Sequence, residues 1–225
     1  MRLGRFDWLL ATLTALMCAT QAQAQGIDSR VYVGILAGPY HTTADHVDGT
    51  LSSIGVTGGT RITPWLDLEV DVLHSSGVLS REHTGPSIAF GNSDGPTSEF
   101  VITRYIHERE GGNTLSIGAS FHPRVAWGRF TPRLFAGISS HRTKDRIVLE
   151  HLSVPPGVTV EQVNRAMPQQ DWRSRHLGGP SFGGSLGIAV TQRLSVVPDL
   201  RYDYGSMGDE INNALRTSIR VLWRF

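Results

Sequence analysis

The sequence predicts an all-β fold: a closed, antiparallel, up-and-down transmembrane β-barrel of about eight strands. Three observations carry that prediction. The last twelve residues alternate strictly, with Leu215, Thr217, Ile219, Val221, Trp223 and Phe225 on one face. Ala214, Arg216, Ser218, Arg220, Leu222 and Arg224 form the other, more polar face. A period of two over that length is a strand with one apolar and one polar side. Second, tight turns alternate along the chain with long polar connections, as they do in membrane barrels. Third, no apolar run beyond the first residues reaches the ~18 residues a helical span needs, so insertion requires a barrel with every backbone amide paired.

The first residues read as a secretory leader. Met1 to Arg5 is basic, Trp8 to Ala19 is apolar, and Ala22-Gln23-Ala24 is a small-residue cleavage site. The expected division is 1–24 as signal peptide and 25–225 as one barrel domain. The only cysteine, Cys18, leaves with the leader, so neither a disulfide framework nor thiolate chemistry is expected. Removing Arg2, Arg5 and Asp7 leaves 19 basic and 19 acidic residues. A neutral chain offers no electrostatic case for nucleic acid.

The strands are expected near 30–38, 51–62, 66–75, 112–125, 130–142, 177–190, 194–204 and 214–225. Tight turns fall near Pro64, Gly128 and Gln192. The first and last of these repeat a strand–turn–strand unit, since Gly59 to Val72 aligns with Gly187 to Leu200 at Gly, Thr, Leu and Asp. Longer connections are expected over 39–50, 75–99, 143–176 and 205–213. Glu99 to Glu110 also alternates and is read as an extension of the fourth strand above the membrane, broken at Gly111-Gly112. Thr159-Val160-Glu161-Gln162 is a capping box that opens a short helix running to Met167.

Alternation also assigns faces. Leu66, Leu68, Val70 and Val72 point to lipid, which leaves Asp67, Glu69 and Asp71 inside. Leu194, Val196, Leu200, Tyr202 and Tyr204 point out, which leaves Asp199, Arg201 and Asp203 inside. Trp65, Trp127, Trp223, Phe130 and Phe225 gather at one end as an aromatic girdle. Pro198 cannot donate to a ladder, so a bulge is expected there.

The leader, the two turn-flanking units and the terminal strand resemble the small eight-stranded bacterial outer-membrane β-barrel proteins. That superfamily includes opacity-type, attachment/invasion-type and porin-like members, and the resemblance covers nearly all of the chain after the leader. It implies residence in the cell outer membrane, contact with its lipid, and export with periplasmic chaperones. It also implies that Ile219, Val221, Trp223 and Phe225 are read by the barrel-assembly machinery. Family members usually carry Gly five positions before the terminal aromatic, where this chain has Arg220.

Function is then sought in two places. Glu69, Asp71, Asp199, Arg201, Asp203, Arg216 and Arg220 share a narrow interior, where charges of mixed sign must pair. The expected result is a lumen closed by ion pairs. A solute or proton passage through the same charges is the alternative. Outside the lumen, the connections 76–99 and 143–176 are where an extracellular ligand would bind. Among nine histidines, His41 and His46 near Asp45 and Asp48 come nearest to a metal motif, without the three or four fixed ligands zinc needs. His74-Ser75-Ser76, with Glu69 and Glu82 nearby, has the His-x-Ser spacing of some lipid-modifying enzymes, but a string of three residues brings no nucleophile, base and orienter together. No cofactor motif is present and no enzyme is expected. The role is read as structural or surface-interacting.

Overall fold

The computed structural model describes residues 31–44, 47–90, 99–123, 129–207 and 210–225. The leader and its cleavage site, Asp45 and His46, and the turn with Trp127 and Gly128 lie outside the described residues. Nine strands occur among the described residues: β1 (Val31–Ala44), β2 (Asp48–Thr63), β3 (Leu66–Ser76), β4 (Val78–Phe90), β5 (Glu99–Phe121), β6 (Phe130–Ser153), β7 (Arg173–Ala189), β8 (Leu194–Met207) and β9 (Glu210–Arg224). One helix, α1 (Val160–Ala166), sits between β6 and β7.

Eight of the strands close a ring. The order runs β3-β2-β1-β9-β8-β7-β6-β5, and β3 pairs with β5 to complete it. All neighbours are antiparallel. β4 stands outside the ring and pairs only with the first half of β5, Val78 opposite Glu110 through Phe90 opposite Glu99. β6 continues beyond the ring to Ser153 against the same half of β5. A three-stranded sheet, β4–β5–β6, therefore rises from one side of the barrel.

This extension corrects the expectation of long irregular connections. Residues 78–90, 143–153 and 173–176 are strand, β1 and β2 approach each other to Ala44 and Asp48, and β8 and β9 meet at Met207 and Glu210. The physical reason is that backbone pairing does not stop where apolar side chains do. Here the outward positions carry cross-strand ion pairs instead: Lys144 Nζ lies 2.8 Å from Glu110, Arg146 contacts Glu108, and Arg104 lies 3.2 Å from Glu150. Reading Glu99–Glu110 as the upper part of one long strand matches the structure. The register shifts between Glu110 and Asn113, at Gly111-Gly112. A Cβ on Gly112 would lie 1.7 Å from the Arg142 carbonyl oxygen, so only glycine fits this bulge.

The bulge exchanges the two faces. Below it Thr114, Ser116 and Ser120 point inward, while above it Val101, Thr103 and Arg109 do. The inner face of the extension is covered by α1, whose Val163 is fully buried. Thr159 caps that helix as the sequence predicts: its hydroxyl accepts from Gln162 N, and the Gln162 side chain accepts from Thr159 N.

At Pro198 the structure differs from the expected bulge. Pairing of β7 with β8 lapses opposite Val197 and Pro198 and resumes in the same register, while Pro198 stays opposite Ile219 of β9. The missing N–H is absorbed as a gap in one ladder, at no cost in register. The turn at Gln192 is held by Thr191, whose hydroxyl accepts from Arg193 N and Leu194 N.

The outward surface of the ring is apolar, with Ile35, Val56, Leu68, Ile117, Leu134, Ile138, Phe182, Leu200 and Ile219 exposed. No described helix is long and apolar enough to cross a membrane. Apolar packing inside the ring is confined to two small groups: Tyr32, Val197 and Leu222 near the short turns, and Tyr40, Leu51 and Ala214 with Leu79 near the extension. Between them the interior is charged.

Candidate functional site: a charged column in the barrel

β3 supplies Asp67, Glu69 and Asp71 at every second position, β8 supplies Asp199, Arg201 and Asp203, and β9 supplies Arg216 and Arg220. The two-residue period turns all of them inward, and none is more than 4% exposed. Arg220 is the hub. Its Nη1 contacts Glu69, and its Nη2 lies 3.0 Å from Asp71 and 3.1 Å from Asp199. Arg201 reaches the same three carboxylates, contacting Glu69 and lying 3.1 Å from Asp71 and 3.3 Å from Asp199. Arg216 completes the set, 3.1 Å from Asp71. Strands that are distant around the ring are thus tied across the bore.

Asp203 stands slightly apart. Leaving Asp67 aside, the set holds four carboxylates and three guanidiniums, and among the described residues no guanidinium bonds Asp203. It accepts instead from the Ser181 hydroxyl of β7. The aligned Asp71 and Asp199 of the internal repeat both end on Arg201 and Arg220.

Further inward groups continue the column in both directions. Toward the short turns, Glu69 also accepts from Tyr32 and Ser120 at 3.0 and 3.2 Å. Asp67 accepts from Arg61 and Arg133 at 3.3 and 3.4 Å, with His122 Nε2 at 3.3 Å. Toward the extension, the His141 ring lies 2.9 Å from Tyr40 and 3.0 Å from both Thr114 and Ser139. Above these, Arg109 makes a two-pronged contact with Asp145, at 2.9 and 3.0 Å, and Arg175 joins at 3.0 Å. Phe135 of β6 lies against Arg201, its ring centre 3.5 Å from the guanidinium carbon. Alternation along β6 would have found Arg133, Phe135, Ser139 and His141. Tyr32 and Tyr40 carry no such signal, because β1 is apolar on both faces.

The column is enclosed by an eight-stranded ring with an apolar exterior and an aromatic end. The model of the family described as "Outer membrane protein beta-barrel domain" matches residues 10–225. The chain belongs to the outer-membrane β-barrel family. Neisserial surface protein A is a solved relative in fold, with a TM-score of 0.53 at 15% identity, covering 87% of this chain and 97% of that one. A major outer membrane protein from Thermus thermophilus gives 0.49 at 13% identity, over 88% and 100% of the two chains. The N-terminal β-barrel domain of Pseudomonas aeruginosa OprF gives 0.45 at 12%, over 86% and 97%. No curated protein matches the chain in sequence.

The chain is an integral outer-membrane barrel, and in such barrels the short turns face the periplasm and the longer connections the outside. Trp65, Phe121, Phe130, Trp223 and Phe225 are exposed at the periplasmic end, with Trp65 stacked on Phe121 at 6.2 Å. In the terminal strand, Ile219, Val221, Trp223 and Phe225 face lipid, and Phe225 N donates to Val31 O across the β1–β9 seam. The departure at Arg220 has a cause, since that position faces inward and carries the hub guanidinium.

The His-x-Ser string does not assemble a catalytic set in this outer-membrane barrel. His74 and Ser76 face outward, whereas Ser75 and Glu69 are buried inside and Glu82 lies on the extension. His74 Nδ1 instead meets Asn113 Oδ1 at 2.9 Å. His41 bonds Thr50 at 3.0 Å, and no group of three metal-ligating side chains occurs among the described residues.

Proposed function

We propose that this barrel is a structural and surface-interacting component of the outer membrane, with a lumen closed to solutes by its own ion pairs. The observation that carries the reading is the Arg201–Arg220 pair of guanidiniums. Each contacts Asp199 on its own side of the bore and Glu69 and Asp71 of β3 across it. A solute crossing the bore has to part several buried charges at once, and separating even one such pair costs about 3–5 kcal/mol. The neighbouring tiers at Asp67 and at Arg109 add two further barriers. The role is non-enzymatic in this reading, and specific recognition falls to the β4–β5–β6 extension with α1. The outward face of Ile219, Val221, Trp223 and Phe225 serves the assembly machinery.

The test is single-channel conductance of refolded residues 25–225 in a planar bilayer, after a heat-dependent gel shift has established folding. A folded, silent barrel supports the closed lumen. Reproducible conductance steps overturn it and make the barrel a small-solute channel.

A further inference from the structure

One outward-facing row is chemically unlike the apolar surface beneath it. His74 of β3 is directly opposite Asn113 of β5, Asn113 is opposite Arg142 of β6, and Arg142 is opposite His176 of β7. All four are exposed. Four adjacent strands thus present four polar side chains side by side at one level. Two rungs lower on the same strands stand Val72, Leu115, Ser140 and Gly178; four rungs lower stand Val70, Ile117, Ile138 and Pro180.

The height of the row is set by strand geometry. On β3 it lies eight residues beyond Leu66, next to the periplasmic Trp65. At ~3.3 Å per residue that is about 26 Å along the strand. With a tilt of ~40° it is about 20 Å along the membrane normal, close to the outer edge of a lipid band ~25 Å tall.

Charge singles out one member. Lys144 and Arg146, higher on β6, are matched by Glu110 and Glu108. Arg142 has no carboxylate partner among the described residues. Its register neighbours are Asn113 and His176, neither of which is an acid. With His74 Nδ1 against Asn113 Oδ1, the Asn113 amide nitrogen is left to donate beside the guanidinium.

We propose that this row, centred on Arg142, binds the phosphate of an outer-leaflet lipid headgroup. A guanidinium at that depth meets headgroup oxygens, and a phosphate accepts from its fork of parallel N–H donors while Asn113 and His176 flank it. The proposal depends on the orientation of the barrel and is independent of whether the lumen conducts.

The experiment is native mass spectrometry of the refolded barrel released from nanodiscs. The discs contain lipid A carrying both phosphates, or lipid A with both removed, and folding is checked by the heat-dependent gel shift. The wild-type chain is expected to retain the phosphorylated lipid and release the other. Arg142→Ala should reduce retention about tenfold, as loss of a charge-assisted contact does. Lys144→Ala should change it less than about twofold, because that cation is already matched by Glu110. Equal loss in both variants would show attraction by overall charge and overturn the site. Retention unchanged by Arg142→Ala would overturn it as well. Displacement by millimolar inorganic phosphate would reduce the row to a free-anion site and overturn the lipid assignment.

Discussion

The Arg201 guanidinium carbon lies 3.5 Å from the centre of the Phe135 ring, so the cation in the middle of the bore rests on an aromatic face as well as on carboxylates. Both side chains are shielded from water, with Phe135 5% and Arg201 1% exposed. A desolvated contact of this type stabilises by about 2 kcal/mol. Phe135→Leu keeps an apolar side chain but removes the ring. It is expected to lower the stability of the barrel to urea in lipid vesicles by that amount, with the heat-dependent gel shift retained.

Glu69 and Arg220 are coupled across the ring. Truncating either one leaves charges buried without their partner, and each of Glu69→Leu and Arg220→Leu should destabilise by about 3–5 kcal/mol. The double variant should cost clearly less than the sum, because both members of the contact leave together. Urea unfolding of the four proteins in a double-mutant cycle checks this; strict additivity would mean that the contact contributes nothing of its own.

Gly112 and Gly85 make opposite predictions for the same substitution. A Cβ at Gly112 meets the Arg142 carbonyl oxygen at 1.7 Å, whereas a Cβ at Gly85 meets nothing within 4 Å. Gly112→Ala should therefore abolish most of the heat-modifiable folded species on a gel. Gly85→Ala should fold like wild type.

The capping box of α1 is local. Thr159→Ala removes the acceptor for Gln162 N and should destabilise the helix by about 1 kcal/mol. Hydrogen exchange over 159–167 should accelerate about fivefold, with the amides of β1, β8 and β9 unchanged.

What could be read from the sequence followed the contrast between faces. β3 over Leu66–Val72 and β9 over Leu215–Val221 set polar or charged residues against a mostly apolar face, so their inward Glu69, Asp71, Arg216 and Arg220 are legible before any pairing is known. β1 alternates Tyr32, Leu36 and Tyr40 with Val33, Ile35 and Ala37, and two apolar faces hide the direction. β4 and the upper part of β6 are hidden for a related reason. Thr84, Lys144 and Glu150 carry no lipid-facing signature, and their pairing follows from the register inherited from the ring below. Phe135 over Arg201 and Tyr40 against His141 depend on which strands meet across the bore, which periodicity along one strand does not encode.

The ring closes through β3 and β5, and Gly111 N donates to Gly77 O at 3.0 Å where β4 begins. The chain between those two glycines therefore leaves and re-enters at one point, like a graft on a stem. Beyond Arg109, it can lengthen, shorten or be exchanged for another hairpin without altering the shear of the barrel or the Glu69, Arg201 and Arg220 cluster within it. The side of this protein that faces the outside world is free to diversify while its membrane part stays fixed.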